Sequence, residues 1–530
     1  MNFRHVSGDT QQKQFPTANG SGVAVLDYNN DGWMDVYFAS NCHLPQGQPA
    51  DGINRLFRNK GDGTFEDVTE SAGVGFRGFC HGVIAADIDN DGDTDLFLCN
   101  YGPNVLYENR GDGTFVDISK KAGVDSFHWS SSAAFFDYDN DGDLDLYVSN
   151  YGIWDPVEDD KFCGDRKNNI RLYCSPRTIR TVKHILYRNN GNNTFTDVTD
   201  AAGVSRDDGH GFGVVAADLN GDGLIDLWVA NDLNPKFLYL NNGDGTFRDA
   251  TDLSGAALDV NGNAQAGMGV DAEDVDGDGL PELFATHFQN EYNTLYQNLG
   301  NGGFFDQTAA FGLAADSIPY VGWGCGLVDF NNDGWPDCFV ANGHVDNNRH
   351  ILYPGTARDF EQPALLFLNE GIGAPPNQGR RFRLSTRDVG AYFEAKHVSR
   401  GCAFGDLDND GRIDIAISER DGPAALLHNE TPRENNRWIS LKLVGTRSNR
   451  DAIGAKIEVQ VGKRTIYRQK KGGCSLMSTN DPRVLIGLGD AVEVAKLTIR
   501  WPSGTLTVLE GLACDRLHEI VESKGEEGQP

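Results

Sequence analysis

Short apolar runs recur along most of the chain, and each run leads into or out of a polar loop rich in Asp, Asn and Gly. Gly22-Val23-Ala24-Val25-Leu26 precedes the first such loop and Val36-Tyr37-Phe38-Ala39 follows it. Apolar runs this short, bounded by turn residues, read as strands rather than helices. Each loop therefore joins the two strands of a hairpin. A second pattern follows each loop: Leu-(Tyr/Phe)-x-Asn, then usually Gly-Asp-Gly-Thr-Phe. It stands at Leu56-Phe57-Arg58-Asn59 and Leu106-Tyr107-Glu108-Asn109, begins again at Leu186, Leu238, Leu295 and Leu366, and returns in reduced form at Leu426. Asp-Gly between two apolar alternating runs signals another hairpin. Two hairpins make four strands, which is one propeller blade.

The loop pattern is Asp-x-(Asp/Asn)-x-Asp-Gly-x-x-(Asp/Glu), and it occurs seven times. The expected fold is accordingly all-β: a seven-bladed β-propeller over residues 1–434 and a small C-terminal all-β domain with a short polar tail over 435–530. The seventh repeat lacks its fourth strand, and Phe3-Arg4-His5-Val6 resembles the missing piece. The N-terminal segment is thus expected to complete the last blade and cover its edge.

Calcium wants six to eight hard oxygens in a tolerant geometry. Side chains at loop positions 1, 3 and 5 curl round one point, Gly at position 6 permits the turn, and an acid at position 9 closes the shell. The candidate ligands are Asp27, Asn29, Asp31 and Asp35; Asp87, Asp89, Asp91 and Asp95; Asp137, Asp139, Asp141 and Asp145; Asp218, Asn220, Asp222 and Asp226; Asp274, Asp276, Asp278 and Glu282; Asp329, Asn331, Asp333 and Asp337; and Asp406, Asp408, Asp410 and Asp414. About seven structural calcium ions are expected. An EF-hand would need Glu at position 12 and flanking helices. Phe38 and Leu98 stand there instead.

Composition narrows the function classes. The formal charge is −31, from 77 acids against 46 Lys and Arg. The acids recur in the spaced loop pattern, which points to cations rather than to a disordered tail. Nucleic acid is not an expected partner. The densest basic stretch, Lys463, Arg464, Arg468, Lys470 and Lys471, reads as a solvated strand pair. No apolar stretch is long enough to span a membrane. Most of the ten cysteines sit singly in apolar strands as small buried hydrophobes. Cys163 and Cys174 lie in a polar insertion, and the sequence leaves open whether they form a disulfide, which would argue for an oxidising compartment. No charged-then-apolar leader precedes the repeats, which favours the cytoplasm or a trimmed start. The compartment stays unassigned.

From about Asn435 the repeat stops. Asn449-Arg450-Asp451-Ala452-Ile453-Gly454-Ala455, Gly472-Gly473-Cys474-Ser475, Gly487-Leu488-Gly489 and Trp501-Pro502-Ser503-Gly504 lie among predicted strands. The loops resemble FG-GAP/VCBS-type repeats, similar to those of integrin α-chain propellers, and the C-terminal motifs resemble the ASPIC/UnbV domain. Together they resemble the cartilage acidic protein family and its bacterial relatives. The resemblance implies calcium at the loop acids. It also implies an extracellular or periplasmic setting, as for the matrix-associated animal members. The UnbV name, from an enediyne biosynthetic locus, implies a link to secondary metabolism. The chain departs from relatives by carrying Cys474-Ser475-Leu476 where they usually have an aromatic.

With calcium loops on one face, the opposite face gathers His43, His81, His128, Trp129, His210, Asp232, His287, Trp323, His344, Arg400 and Glu419. Two insertions, 152–183 and 343–364, belong to it as well. Two functions are expected from this arrangement. One is recognition of a protein, glycan or small ligand on that face. The other is a biosynthetic enzyme with a pocket at the channel mouth, in which His128, His210, His287 or His344 performs acid–base chemistry or binds an additional transition metal. No Walker A loop, dinucleotide fingerprint, HExxH or Gly-x-Ser-x-Gly motif is present.

Overall fold

The computed structural model describes residues 1–44, 52–353, 355, 359–371, 381–385, 389–432 and 435–524, so the expected polar tail lies outside it from residue 525 onward. The apolar runs form the inner strands Val23–Leu26, Cys80–Ala86, Trp129–Phe136, Gly211–Ala217, Val270–Glu273, Gly322–Val328 and Ser399–Gly405. The first six each begin a four-stranded sheet, and the last begins a three-stranded one. Pairing is antiparallel throughout each sheet. In the first, Val36 stands opposite Val25 and Phe57, and Phe57 opposite Asp67. Inner strands of successive sheets pack side by side in order, and the last packs against the first. The ring closes as a propeller, and no inner strand is left with an open flank.

The N-terminal segment runs beside the three-stranded sheet. Arg4 bridges Pro423, the Ala424 N–H donates to Phe3 O (3.1 Å), and the His5 N–H donates to Gly422 O (3.1 Å). Phe3 stacks on Phe38 of the first blade with ring centroids 4.7 Å apart. The expected latch is present as one bridge rather than a full strand.

The Asn that ends each Leu-(Tyr/Phe)-x-Asn motif joins neighbouring blades. Asn241 Nδ2 donates to Ile225 O in its own blade (3.1 Å) and to Tyr138 O in the blade before (2.8 Å), while its Oδ1 accepts from the Gly243 N–H (2.8 Å). The same amide reaches back one blade from Asn109 to Tyr28 O, Asn189 to Ile88 O, Asn298 to Leu219 O, Asn369 to Val275 O and Asn429 to Phe330 O. Asn59 reaches Leu407 O and so crosses the seam between the first and last blades.

The C-terminal domain packs two sheets. One holds Lys456–Val461, Arg464–Gln469, Glu493–Arg500 and Leu506–Ala513; the other holds Arg437–Val444, Val484–Gly489 and Arg516–Val521. Its recognised motifs hold its own turns. Asn449 Nδ2 donates to Ile453 O (2.9 Å) while the Ile453 N–H donates to Asn449 Oδ1 (2.8 Å). The Glu522 carboxylate accepts the N–H groups of Thr446, Arg447 and Ser448 and the Ser503 hydroxyl. Partial burial opposes ionisation there, but these bonds win and hold its carboxyl at about 2.

This domain sits on the acidic-loop face. Arg464 stacks on Trp335 at 3.8 Å and donates to Asp333 O (2.9 Å) and Gly334 O (2.7 Å). Arg483 donates to Asp406 O (2.7 Å), and Asp451 accepts from the Asp87 N–H (3.0 Å). The basic stretch is therefore not a solvated strand pair. It docks the domain: Arg468 is buried, Lys471 pairs with Asp271 and Glu273 (2.5 and 3.3 Å), and of the five only Lys463 stays exposed.

From this docked position the segment 472–479 enters the ring. Gly472 bridges Ala216, Ser475 bridges Val270, and Thr479 bridges Ala24. Leu476 and Met477 are fully buried at the centre. Inner-strand glycines make room for them. A Cβ on Gly22 would lie 1.7 Å from Met477 O, and one on Gly213 would lie 2.9 Å from Ser475 O.

The Asn staples generate a direct test. Asn241→Ala should lower the unfolding free energy by about 2–3 kcal/mol, since it leaves two carbonyls and one N–H unsatisfied. Urea unfolding monitored by circular dichroism would show the loss; an unchanged midpoint would mean the staple is dispensable.

Candidate metal centres and the channel mouth

Each acidic loop begins where an inner strand ends, and its ninth residue opens the second strand. The ninth carboxylate is buried and doubly bonded in every blade. Asp95 Oδ2 accepts from the Ile88 N–H (3.0 Å) and Oδ1 from the Asn109 N–H (2.7 Å). Asp145 does the same with Tyr138 (3.0 Å) and Asn189 (2.8 Å). The first carboxylate bonds loop amides, as Asp87 does with the Gly92 N–H (2.8 Å). Gly92 has φ +98°, which permits the turn. Position 4, which the sequence pattern left free, is always Asn or Gly and takes the left-handed conformation, as at Asn90 (φ 62°). Its amide again links blades: Asn30 reaches Gly92 O, Asn90 reaches Gly142 O, and Asn409 reaches Gly32 O across the seam.

Carboxylate oxygens converge in the loops that carry Asp at position 3. Asp87, Asp89 and Asp95, then Asp137, Asp139 and Asp145, then Asp274, Asp276 and Glu282, and in the seventh loop Asp406, Asp408 and Asp410, each place oxygens within 4.8 Å of one another. In the first three of these the third loop position holds a buried oxygen with no hydrogen-bond partner among the described residues: Asp89 Oδ1, Asp139 Oδ1 and Asp276 Oδ1. Burial pushes the carboxyl of Asp35 up to about 8, Asp95 to about 9 and Asp137 to about 7. Protonation would weaken the N–H bonds that these oxygens accept and would add an O–H that needs its own acceptor. A cation resolves this conflict by keeping the group ionised while compensating its burial. The residues thus fit a hard divalent ion such as calcium. Where Asn stands at position 3, its amide closes on position 5, as Asn29 does on Asp31 (2.9 Å), and must turn its oxygen inward to ligate. Loop four differs further, because Lys456 of the C-terminal domain ion-pairs with Asp218.

At the far end of the ring the structure gathers part of the predicted set. Trp129 Nε1–H donates to His81 Nε2 (2.8 Å), which leaves Nδ1–H for Gly20 O (3.0 Å). Burial pushes the His81 imidazole down to about 4, so it is a neutral link in this chain. Trp129 packs on Tyr151 at 4.5 Å, and Tyr151 donates to Asp232 (2.7 Å) and packs on His210 at 5.3 Å. Phe212 connects Tyr151 to Trp323, and Arg400 stacks on Trp323 at 4.1 Å. Arg400 is fully buried and donates to the carbonyls of Ala18, Gly343, Ser399 and His344. Phe15 covers this cluster from outside, and Leu476 and Met477 support it from inside. The predicted pocket at the mouth is therefore a packed plug. Tyr151, Phe212 and Phe15, which complete it, carry no signal beyond being apolar in their runs.

The other predicted residues lie outside this aromatic chain, although the His344 carbonyl accepts from Arg400. His43 is half-buried, and His128 Nδ1 lies 2.6 Å from Ser126 Oγ. His344 accepts from the Asp346 N–H (3.0 Å). Glu419 is held by Tyr392 and Ser399 (2.5 and 3.0 Å). The insertions do meet on this face: the Tyr173 N–H donates to Asp346 (2.9 Å) and Asn348 to Arg171 O (2.6 Å). Cys163 and Cys174 form the disulfide within the first of them. A separate cavity of about 190 Å³ lies on the loop side, between the C-terminal domain and the ring, lined by Phe404, Asp271, Lys470, Lys471, Cys474 and Asp481.

His287 departs from the Asn of its repeat position, as Ser40 and Glu419 do. Four other blades carry Asn100, Asn150, Asn231 and Asn342 there, each donating to a loop carbonyl. His287 is fully buried, and neither ring nitrogen makes a well-aligned hydrogen bond among the described residues, the Ala266 backbone being the polar group that bears on it. Burial, joined by the nearby Lys236 charge, holds its imidazole far below the usual range. Restoring the repeat residue with His287→Asn should raise the unfolding free energy by about 1 kcal/mol. Thermal unfolding would show it; a fall would mean the imidazole is satisfied by a bound group.

Comparison with known proteins agrees with this geometry. The FG-GAP-like repeat family matches residues 27–98, 87–148, 183–229, 218–285, 274–340 and 329–417, and the ASPIC and UnbV family matches 445–527. Human cartilage acidic protein 1 is 26% identical over 334 residues, 62% of this chain and 46% of its own length. The mouse protein is 24% identical over 366 residues, 59% of this chain and 54% of its own length. The chain thus spans about half the length of these curated relatives. Among solved structures, an Agrocybe aegerita lectin described as recognising non-reducing terminal N-acetylglucosamine matches at 18% identity and TM-score 0.39, covering 70% of this chain and 81% of its own. Among the described residues no helix is long and apolar enough to cross a membrane. The chain belongs to the FG-GAP-like repeat family, with an ASPIC and UnbV domain at its C-terminal end.

Proposed function

We propose that this protein is a calcium-stabilised propeller that binds a protein, glycan or small ligand on the face opposite its acidic loops. One observation carries the choice of face. The loop face is occupied by the C-terminal domain, whereas the opposite face is where the irregular segments meet: residues 9–19, the disulfide-bonded insertion and the insertion around Asp346. Irregular segments held on a rigid repeat scaffold are where recognition concentrates. The packed mouth favours recognition by the outer surface over turnover within the channel. No observation gives the enzymatic alternative, with or without a transition metal at this face, comparable support.

The calcium part is tested by removing the metal. Each site filled at a hundred times its dissociation constant adds about 2.7 kcal/mol. A calcium chelator should therefore lower the melting temperature by on the order of 10 °C or more. Added calcium should restore it, and equal magnesium should not. An unmoved melting temperature contradicts the assignment.

The recognition part is tested on glycan and protein arrays with two exposed valines, Val157 (86% exposed) in the disulfide-bonded insertion and Val492 (82% exposed) in the C-terminal domain. A bound ligand should be lost in Val157→Asp and kept in Val492→Asp. The reverse pattern would move the binding surface to the C-terminal domain.

A further inference from the structure

His428 stands one residue before the staple Asn429, where other repeats carry Arg58, Glu108, Arg188, Leu240, Gln297 and Leu368. A side chain at this position reaches the acidic loop of its own blade. In the fifth blade Gln297 Nε2 donates to Asp276 Oδ2, loop position 3, at 3.0 Å. In the seventh blade the side chain that reaches over is an imidazole. His428 Nδ1 lies 3.2 Å from Asp414 Oδ1 and 3.7 Å from Asp408 Oδ2. These three donors fall within one 4.8 Å group, and no other His among the described residues joins such a group.

We propose that the seventh loop is a zinc-class transition-metal site, ligated by His428 Nδ1, Asp408 and Asp414, rather than one more calcium site. This rests on the preceding reading only in taking the loop as a cation site. Three points favour the assignment. Imidazole is a ligand of zinc and its neighbours, whereas calcium takes oxygen. Two donors 3.2 Å apart, each about 2.1 Å from a shared ion, subtend about 100°, between octahedral and tetrahedral angles. Finally, Arg412 at position 7 ion-pairs with Asp410 and so competes with a cation for the position-5 carboxylate of the oxygen-only group Asp406, Asp408 and Asp410. Trp33, Asp93, Asp143, Leu224, Leu280 and Trp335 stand at that position in the other loops.

The site lies in the blade that closes the ring. An ion there would tie the third strand, through His428, to the loop carboxylates on which Asn429 also depends, since the Asn429 N–H donates to Asp414 Oδ1 (2.7 Å). His428 is half-exposed, so an ion can enter from solvent and the residue can be replaced without opening the core.

The test uses the full chain in excess calcium. Zinc is added, unbound metal is removed, and zinc and calcium are counted per chain by elemental analysis. The wild type should retain one zinc. His428→Gln should lower zinc affinity at least tenfold, read by competition with a chromogenic chelator, with the calcium count unchanged. Zinc retained equally by His428→Gln, or by neither protein, overturns the proposal. Failure of the calcium reading would appear separately, as absence of calcium from both proteins.

Discussion

Ring closure in this propeller depends on one interaction repeated in every blade: a buried carboxylate at the ninth loop position that accepts N–H bonds on both oxygens. One bond fixes the loop and the other fixes the start of the turn at the staple Asn. That Asn then holds the carbonyl of the preceding blade. The carboxylate therefore sets the loop, the third strand and the spacing between blades at once. Burial drives such a group toward its neutral form, and neutrality would weaken both bonds. A cation among the first, third and ninth positions would remove that conflict, and metal binding would then be linked to blade assembly.

The C-terminal domain extends the same logic. Its basic strands lie over the acidic loops, and Lys456 places an ammonium directly on one loop carboxylate. From that base the segment 472–479 adds backbone pairing to three separate inner strands. Phe15 closes the ring from the other side. A propeller's central channel is normally its natural ligand cavity; here both ends are filled by the chain itself. This filling supports the proposal that a ligand is bound on the outer surface of the face opposite the loops.

Much of this was legible in the sequence, for reasons that can be named. The period-setting Asp-x-Asp-x-Asp-Gly loops and the Leu-Tyr-x-Asn motifs gave the sheets, their antiparallel hairpins and the N-terminal latch, because each strand is short and each turn needs Gly or Asn. The role of Asn241 and its equivalents was hidden, since the carbonyl it binds lies about a hundred residues away, at Tyr138. The basic stretch Arg464–Lys471 was misread because sequence shows charge but not the acidic surface that buries it. The structure brings His81, Trp129, His210, Asp232, Trp323 and Arg400 together, and their packing was invisible in the sequence. Whether His and Trp line a hole or fill it depends on Tyr151, Phe212 and the incoming Leu476 and Met477, which carry no chemical signature. His428 was passed over because its repeat position is variable, and only the fold shows that this position overlooks the loop.

The central claim is that the acidic loops are cation sites on which ring assembly depends. The most direct measurement is long-wavelength diffraction from crystals grown in calcium, with anomalous density calculated for the whole molecule. The account predicts strong peaks inside the loops, coordinated by the carboxylates at positions 1, 3 and 9. Loops empty of density, with the ring intact, would contradict it.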